Sequence, residues 1–343
     1  MLDNQNYIAE KDTFDALGLA NNTPTQLRHA FNIPPVEHKN DVHNIVFAGM
    51  GGSALQAEFI KAWPTLRVPF ILWRDYDLPE FVDEHTLVLV ASYSGNTEET
   101  LSSLAAAREK GAMIGVMAGG GKLKEQAEQH GDIFAEIPKA VQPRMAVFYS
   151  FRMLVEMLVA YGVIEASTIE ELEKSSHHLE AEVGKWGKTV PQVDNPAKQL
   201  AEKLVGKTPI FYASSHMAAA AYKWKIGVNE NAKNTAWYNV MPEFNHNEFM
   251  GWTSHPVEKP FAVVDLISDF DHERIKKRFE VSDRLLSGMR PHAIAVQAKG
   301  KTALEQMLYL VLFGDFVTIY MGILNGVDPS PVALIEKFKT ELG

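Results

Sequence analysis

Short apolar runs at 44–48, 70–73, 87–91, 113–117 and 133–137 punctuate the first half of the chain, and stretches of helix formers at 54–62, 101–110 and 122–130 separate them. The runs are rich in Val, Ile, Leu and Ala, as strands covered on both faces are, and strands that alternate with helices predict a parallel sheet. The alternation resumes at 209–213, 236–240, 261–266 and 292–296. The expected fold class is therefore α/β, with two doubly wound parallel sheets. Each half ends in a long apolar stretch, at 145–164 and 303–324. The first stretch carries Arg152 and Glu156 and the second Glu305 and Asp315. Neither is the unbroken apolar span of about 20 residues that a bilayer requires, so both predict long buried helices. Between the halves, 166–188 has the pattern of a charged helix and leads into Thr189-Val190-Pro191-Gln192. That shift predicts domains at 1–188 and 189–343, with the residues before about 40 as a helical lead-in to the first.

Composition narrows the function classes. A chain of 343 residues, 46% hydrophobic and 22% charged, has the make-up of a soluble globular enzyme with two domains. Its net charge of -10 argues against nucleic acid as a partner, because duplex binding needs a basic face. An anionic substrate would need local positive groups. There is no cysteine, which excludes disulfides, thiolate metal sites and a thiol nucleophile. Met1-Leu2-Asp3-Asn4 resembles no secretory leader, so the expected location is cytoplasmic, with no membrane partner.

The chemistry centres on Ser92-Tyr93-Ser94-Gly95-Asn96-Thr97-Glu98-Glu99-Thr100, which follows the third apolar run and opens a helix. Hydroxyls and free backbone N–H groups at a helix amino end suit a dianionic phosphate ester. The loop Gly49-Met50-Gly51-Gly52-Ser53-Ala54 follows the first run. Ala54 stands where a dinucleotide fingerprint has its third glycine, and Asp75 lies just beyond the second run, which weakens a nucleotide assignment. Both loops fall at strand carboxyl ends, where doubly wound sheets bind ligands. Gln142-Pro143-Arg144 adds a guanidinium ahead of a helix. The second half supplies His216, Glu230, Glu243, His246 and Glu248. Without H-x-x-x-H or H-E-x-x-H spacing, these suit acid/base work better than zinc. Spacing does not choose among Glu230, Glu243 and Glu248 as the base. At Asp328-Pro329-Ser330-Pro331 a final helix is expected, with Ser330 as its cap. Helical geometry then puts Ser330 and Lys337 on one face and Lys339 nearly opposite.

Taken in order, G-x-G-G-S, S-Y-S-G-N-T-E-E-T, Q-P-R, N-E-N-A-K, E-F-N-H-N-E and D-P-S-P resemble the bifunctional phosphoglucose/phosphomannose isomerase family from about Ile45 to the C-terminus. The resemblance implies two sugar isomerase (SIS) domains, Rossmann-like three-layer sandwiches, and aldose–ketose interconversion of hexose 6-phosphates through a cis-enediol without metal or nucleotide cofactor. It implies that Ser92, Ser94 and Thr97 hold the phosphate, with Gly51, Gly52 and Ser53 beside the sugar. By the same resemblance Arg144 stabilises the enediolate, Glu230 moves the proton between C1 and C2, His246 assists ring opening, and Lys337 and Ser330 reach the substrate from the last helix. It also implies a homodimer in which the histidine block completes a neighbouring subunit's site. A non-catalytic phosphosugar sensor and an amino-sugar enzyme are the alternatives. Glu230 and His246 weigh against the first, and the absence of an ammonia-supplying domain against the second.

Overall fold

In the computed structural model, which describes residues 1–37, 41–139, 142–254 and 260–342, each of the nine apolar runs forms a strand. Helices α1 (Gln5–Lys11) and α2 (Ala16–Asn22) open the chain. Then β1 (Asn44–Gly49), α3 (Gly51–Ala62), β2 (Phe70–Trp73), β3 (Thr86–Ser92), α4 (Glu98–Glu109), β4 (Met113–Ala118), α5 (Gly121–His130) and β5 (Ile133–Glu136) alternate, followed by α6 (Val147–Ala160) and α7 (Ser167–Val183). The second series runs α8 (Pro196–Leu204), β6 (Thr208–Ser214), α9 (Ala218–Glu230), β7 (Trp237–Met241), α10 (Glu248–Gly251), β8 (Phe261–Ile267), α11 (Glu273–Leu285) and β9 (Ile294–Gln297). Helices α12 (Ala303–Leu324) and α13 (Ala333–Leu342) complete it.

Both sheets are parallel, with orders β2-β1-β3-β4-β5 and β7-β6-β8-β9. In each, the first strand of the series lies between the next two, so the winding direction reverses there and opens a crevice at the strand carboxyl ends. The second sheet thus repeats the order of the first with one strand fewer. Continuous apolarity has its cause in this layering: Leu87, Val88, Leu89, Val90 and Ala91 of β3 are all fully buried, because helices cover both faces.

The compact units are Thr23–His177, and Met1–Asn22 together with His178–Gly343. This divides the chain differently from a cut at 188: the first 22 residues of the lead-in join the later residues, and the division falls within α7. Side chains of the lead-in account for it. Leu2 and Ile8 are buried, the Tyr7 hydroxyl donates to Ile323 O at 3.1 Å, and Asp3 pairs with the buried Lys198 at 3.1 Å.

Both long apolar stretches are core helices. In α6, Arg152 is buried but paired with Glu156 at 2.6 Å and Glu173 at 2.9 Å, which satisfies the charges that interrupt its sequence. Helix α12 is long and apolar enough to cross a membrane by composition alone, yet 89% of its most apolar window is buried inside the fold. It packs on α2, α8 and α9, and its Asp315 pairs with Lys223 of α9.

One buried carboxyl makes the unit with β6–β9 sensitive to pH. Asp265 in β8 stands opposite Tyr212 of β6, is 4% exposed and leaves Oδ1 without a hydrogen-bond partner. Burial pushes its carboxyl up to about 7, an effect that Arg290 only partly offsets. The folded protein therefore holds a proton that the unfolded chain releases, so this group's contribution to stability is greatest at acid pH and is lost as pH rises from about 4 through 7. Asp265→Asn is expected to remove that loss, amounting to at most about 4 kcal/mol. Urea unfolding at pH 5 and pH 8 checks it; equal pH dependence in both proteins would refute it.

Candidate active site

In the unit Thr23–His177, three loops meet at the carboxyl edge of the sheet. β3 ends at Ser92, which is 1% exposed. Its Oγ shares a 2.7 Å hydrogen bond with Thr97 Oγ1 and accepts from Gly95 N at 3.1 Å. Ser94 Oγ lies 3.4 Å from Ser92 Oγ and accepts from Asn96 N at 3.2 Å. Thr97 stands at the cap position of α4, but its hydroxyl makes no capping bond. The three hydroxyls are thus turned toward one another and away from the ordinary capping task. Helix α4 begins with N–H groups that have no intrahelical partner, at the positive end of its dipole.

A second turn clamps this loop. Gly95 adopts a φ of 70°, and a Cβ there would fall 1.7 Å from Gly120 O. Gly95 O accepts from Leu123 N and Asn96 Oδ1 accepts from Lys122 N, both at 3.0 Å. None of the sequence motifs points to this clamp; its signal is the run Gly119-Gly120-Gly121 after the fourth apolar run.

The glycine loop is joined to the hydroxyl loop, since Ser53 Oγ accepts from Tyr93 N at 3.0 Å. Gly52 lies so close to the Gln142-Pro143-Arg144 turn that a Cβ would come within 3.2 Å of Pro143 Cβ and 3.3 Å of Arg144 N. Arg144 is 3% exposed. Gly51, Gly52, Ser53, Ser92, Ser94, Thr97 and Arg144 are therefore brought to one edge of one sheet. Arg144 is a buried basic residue on the turn that meets the glycine loop, and in a chain of net charge -10 an anionic substrate depends on such local positive groups.

The other unit separates its candidates. Helix α9 runs back from the carboxyl end of β6, so Glu230, its last residue, lies at the amino edge of the sheet. Just beyond it, Asn234 Nδ2 donates to Lys207 O, immediately ahead of β6. The turn after Glu230 is pinned to α12: Asn231 Nδ2 donates to Thr318 Oγ1 at 2.9 Å, and Asn325 Nδ2 to Ala232 O at 2.9 Å. Gly322 permits the approach, because a Cβ there would be 2.4 Å from Asn231 O.

His246 closes the turn Glu243–His246 that follows β7, at the opposite edge, and its side chain is exposed. With strands rising about 3.3 Å per residue, the two edges are roughly 15–25 Å apart. Glu230 and His246 are thus not brought together within this unit. His216 is exposed at the carboxyl end of β6. The rival carboxylates lie near His246. Glu248 is engaged at both oxygens, accepting from the Tyr212 hydroxyl and, at 2.7 Å, from Asn239 Nδ2. The exposed Glu243 accepts from Asn247 Nδ2.

The last helix begins later than expected. Ser330 does not cap it: α13 starts at Ala333, and Ser330 is buried with its N–H donating to Asp328 Oδ1 at 2.9 Å. The residue before a proline is disfavoured in helical conformation, and Asp328 captures its N–H in a tight turn. Ser330 and Lys337 therefore do not share a helical face. Lys337 is exposed, 3.7 Å from Glu341, and the side chain of Lys339 lies outside the described residues. Among the described residues, no three His, Asp or Glu side chains gather closely enough to hold a metal ion.

Residues 193–342 match the family model of the bacterial phospho-glucose isomerase C-terminal SIS domain. The bifunctional phosphoglucose/phosphomannose isomerase of Caldicellulosiruptor bescii is 37% identical over 331 residues, 94% of this chain and 97% of that protein. The D-glucosamine-6-phosphate 4-epimerase of Sulfolobus acidocaldarius is 35% identical over 221 residues, 64% of this chain and 67% of that protein. In three dimensions, the crystal structure of a glucose-6-phosphate isomerase like protein from Thermus thermophilus covers 98% of both chains with a TM-score of 0.63 at 19% identity, which supports the two-SIS fold. On near-full-length identity to its relative from Caldicellulosiruptor bescii, the chain belongs to the bifunctional phosphoglucose/phosphomannose isomerase family.

Proposed function

We propose that the protein interconverts glucose 6-phosphate and mannose 6-phosphate with fructose 6-phosphate through a cis-enediol, without a metal ion or other cofactor. The observation that carries this is the cradle of Ser92, Ser94 and Thr97 at the uncapped amino end of α4, on the sheet edge where the glycine loop meets the turn of the buried Arg144. The phosphate accepts hydrogen bonds from the hydroxyls and from α4 N–H groups, with Gly51, Gly52 and Ser53 leaving room for the sugar. Glu230 removes the proton from C2 of the aldose and returns it to C1, while Arg144 holds the oxyanion of the enediolate. Ser330 completes the sugar contacts, while the shared face that favoured Lys337 over Lys339 is absent, since α13 starts at Ala333. The separation of Glu230 from His246 within one chain supports ring opening by the partner subunit's His246 in a cytoplasmic homodimer with shared sites.

The test is incubation of the protein with fructose 6-phosphate in EDTA, with glucosamine 6-phosphate in parallel. Formation of both glucose 6-phosphate and mannose 6-phosphate is expected. Turnover confined to the amino sugar would move the assignment toward the chemistry named for the Sulfolobus acidocaldarius relative, and turnover of neither would refute catalysis on hexose phosphates.

A further inference from the structure

We infer that Lys233 is a positioning residue for the reaction, clipping the end of α9 that carries Glu230 to the turn that carries Ser330; this rests on the assignment of Glu230 as base. The Lys233 ammonium donates to Glu230 O at 2.6 Å and to Pro329 O at 3.1 Å. One cation therefore joins two segments that lie 96 residues apart in the chain and meet at the amino edge of the second sheet. Its backbone lies in the left-handed region, with a φ of 52°, a conformation in which glycine or asparagine is the ordinary choice. A lysine there gives up backbone ease, and what it gains is the pair of carbonyl contacts.

The surroundings favour a role in the site over simple capping. A lysine that only completes a helix end needs the last carbonyls of its own helix. Lys233 spends a second donor on Pro329 O, the residue before Ser330, whose N–H is already held by Asp328. Helix α9 is independently anchored to α12 by the Asn231–Thr318 and Asn325–Ala232 bonds. Loss of Lys233 would therefore remove a tie between the two site-bearing segments without releasing α9 from the core. Displacement of a general base by about 1 Å costs up to a hundredfold in rate.

The experiment compares Lys233→Met, Lys233→Arg and Glu230→Gln by steady-state kinetics with fructose 6-phosphate, by solvent-deuterium uptake at C2 and by thermal melting. For Lys233→Met, kcat is expected to fall about tenfold to a hundredfold with KM within about twofold. Deuterium uptake should fall in parallel and the melting point should stay within a few degrees. Lys233→Arg, which keeps two donors, should recover most of the rate. Lys233→Gln is read in the same way if the methionine variant does not fold. Wild-type turnover by Lys233→Met while Glu230→Gln is inactive would overturn this inference alone. Wild-type turnover by Glu230→Gln would overturn the base assignment and this inference with it.

Discussion

Glu230→Gln is expected to lower kcat for fructose 6-phosphate by about a hundredfold to ten-thousandfold, with KM nearly unchanged, because general-base catalysis contributes on that scale. The amide fills the same space at the end of α9 and leaves the turn through Asn231 and Ala232 on its bonds to Thr318 and Asn325. The variant should fold as the parent does, and proton exchange at C2 should vanish together with turnover. A sharper result follows from the geometry, since Glu230 and His246 occupy opposite edges of one sheet. If each site draws its glutamate from one subunit and its histidine from the other, a heterodimer of Glu230→Gln with His246→Ala contains one site with both groups intact. Unfolding and refolding an equal mixture of the two variants should then restore about a quarter of the wild-type activity, because random pairing makes half the dimers mixed and each has one working site of two. Activity no greater than that of the separate variants would exclude sharing of these two residues.

Gly95→Ala is expected to raise KM for every hexose 6-phosphate by at least about tenfold, through loss of charge-assisted bonds to the phosphate, while the sheet beneath remains intact. Two costs coincide at this position. The backbone φ of 70° is strained for any residue with a Cβ, by about 1 kcal/mol or more. That Cβ would also fall 1.7 Å from Gly120 O, a backbone atom that cannot swing away. The hydroxyl loop must therefore leave the Gly119–Gly121 turn, breaking the Gly95–Leu123 and Asn96–Lys122 bonds that hold it. Ser94 and Thr97 lose their common orientation toward Ser92. Isothermal titration with inorganic phosphate and with glucose 6-phosphate measures the effect directly. Wild-type affinity for both would show that the phosphate is held somewhere else.

The alternation of apolar runs with helix formers was enough to determine nine strands and two parallel sheets, because burial on both faces leaves no polar position in a strand such as 87–91. Local chemistry was equally legible in Ser92-Tyr93-Ser94-Gly95-Asn96-Thr97, where hydroxyls, a glycine and a helix start are contiguous in the chain. Contacts distant in sequence were not. Only the tertiary structure attached residues 1–22 to the unit containing α12, since that depends on burying Leu2 and Ile8 and on Tyr7 meeting a carbonyl 316 residues further on. It also took Ser330 out of the last helix, because Asp328 and Pro331 together outweigh a good capping residue. The two edges of the second sheet were the deepest omission: Glu230 and His246 are near in number, but a helix that returns along the sheet puts its end at the edge opposite the next strand's exit. Sequence periodicity reports which face of an element is buried, whereas the direction of travel that carries a catalytic group to one edge or the other is a property of the assembled layers.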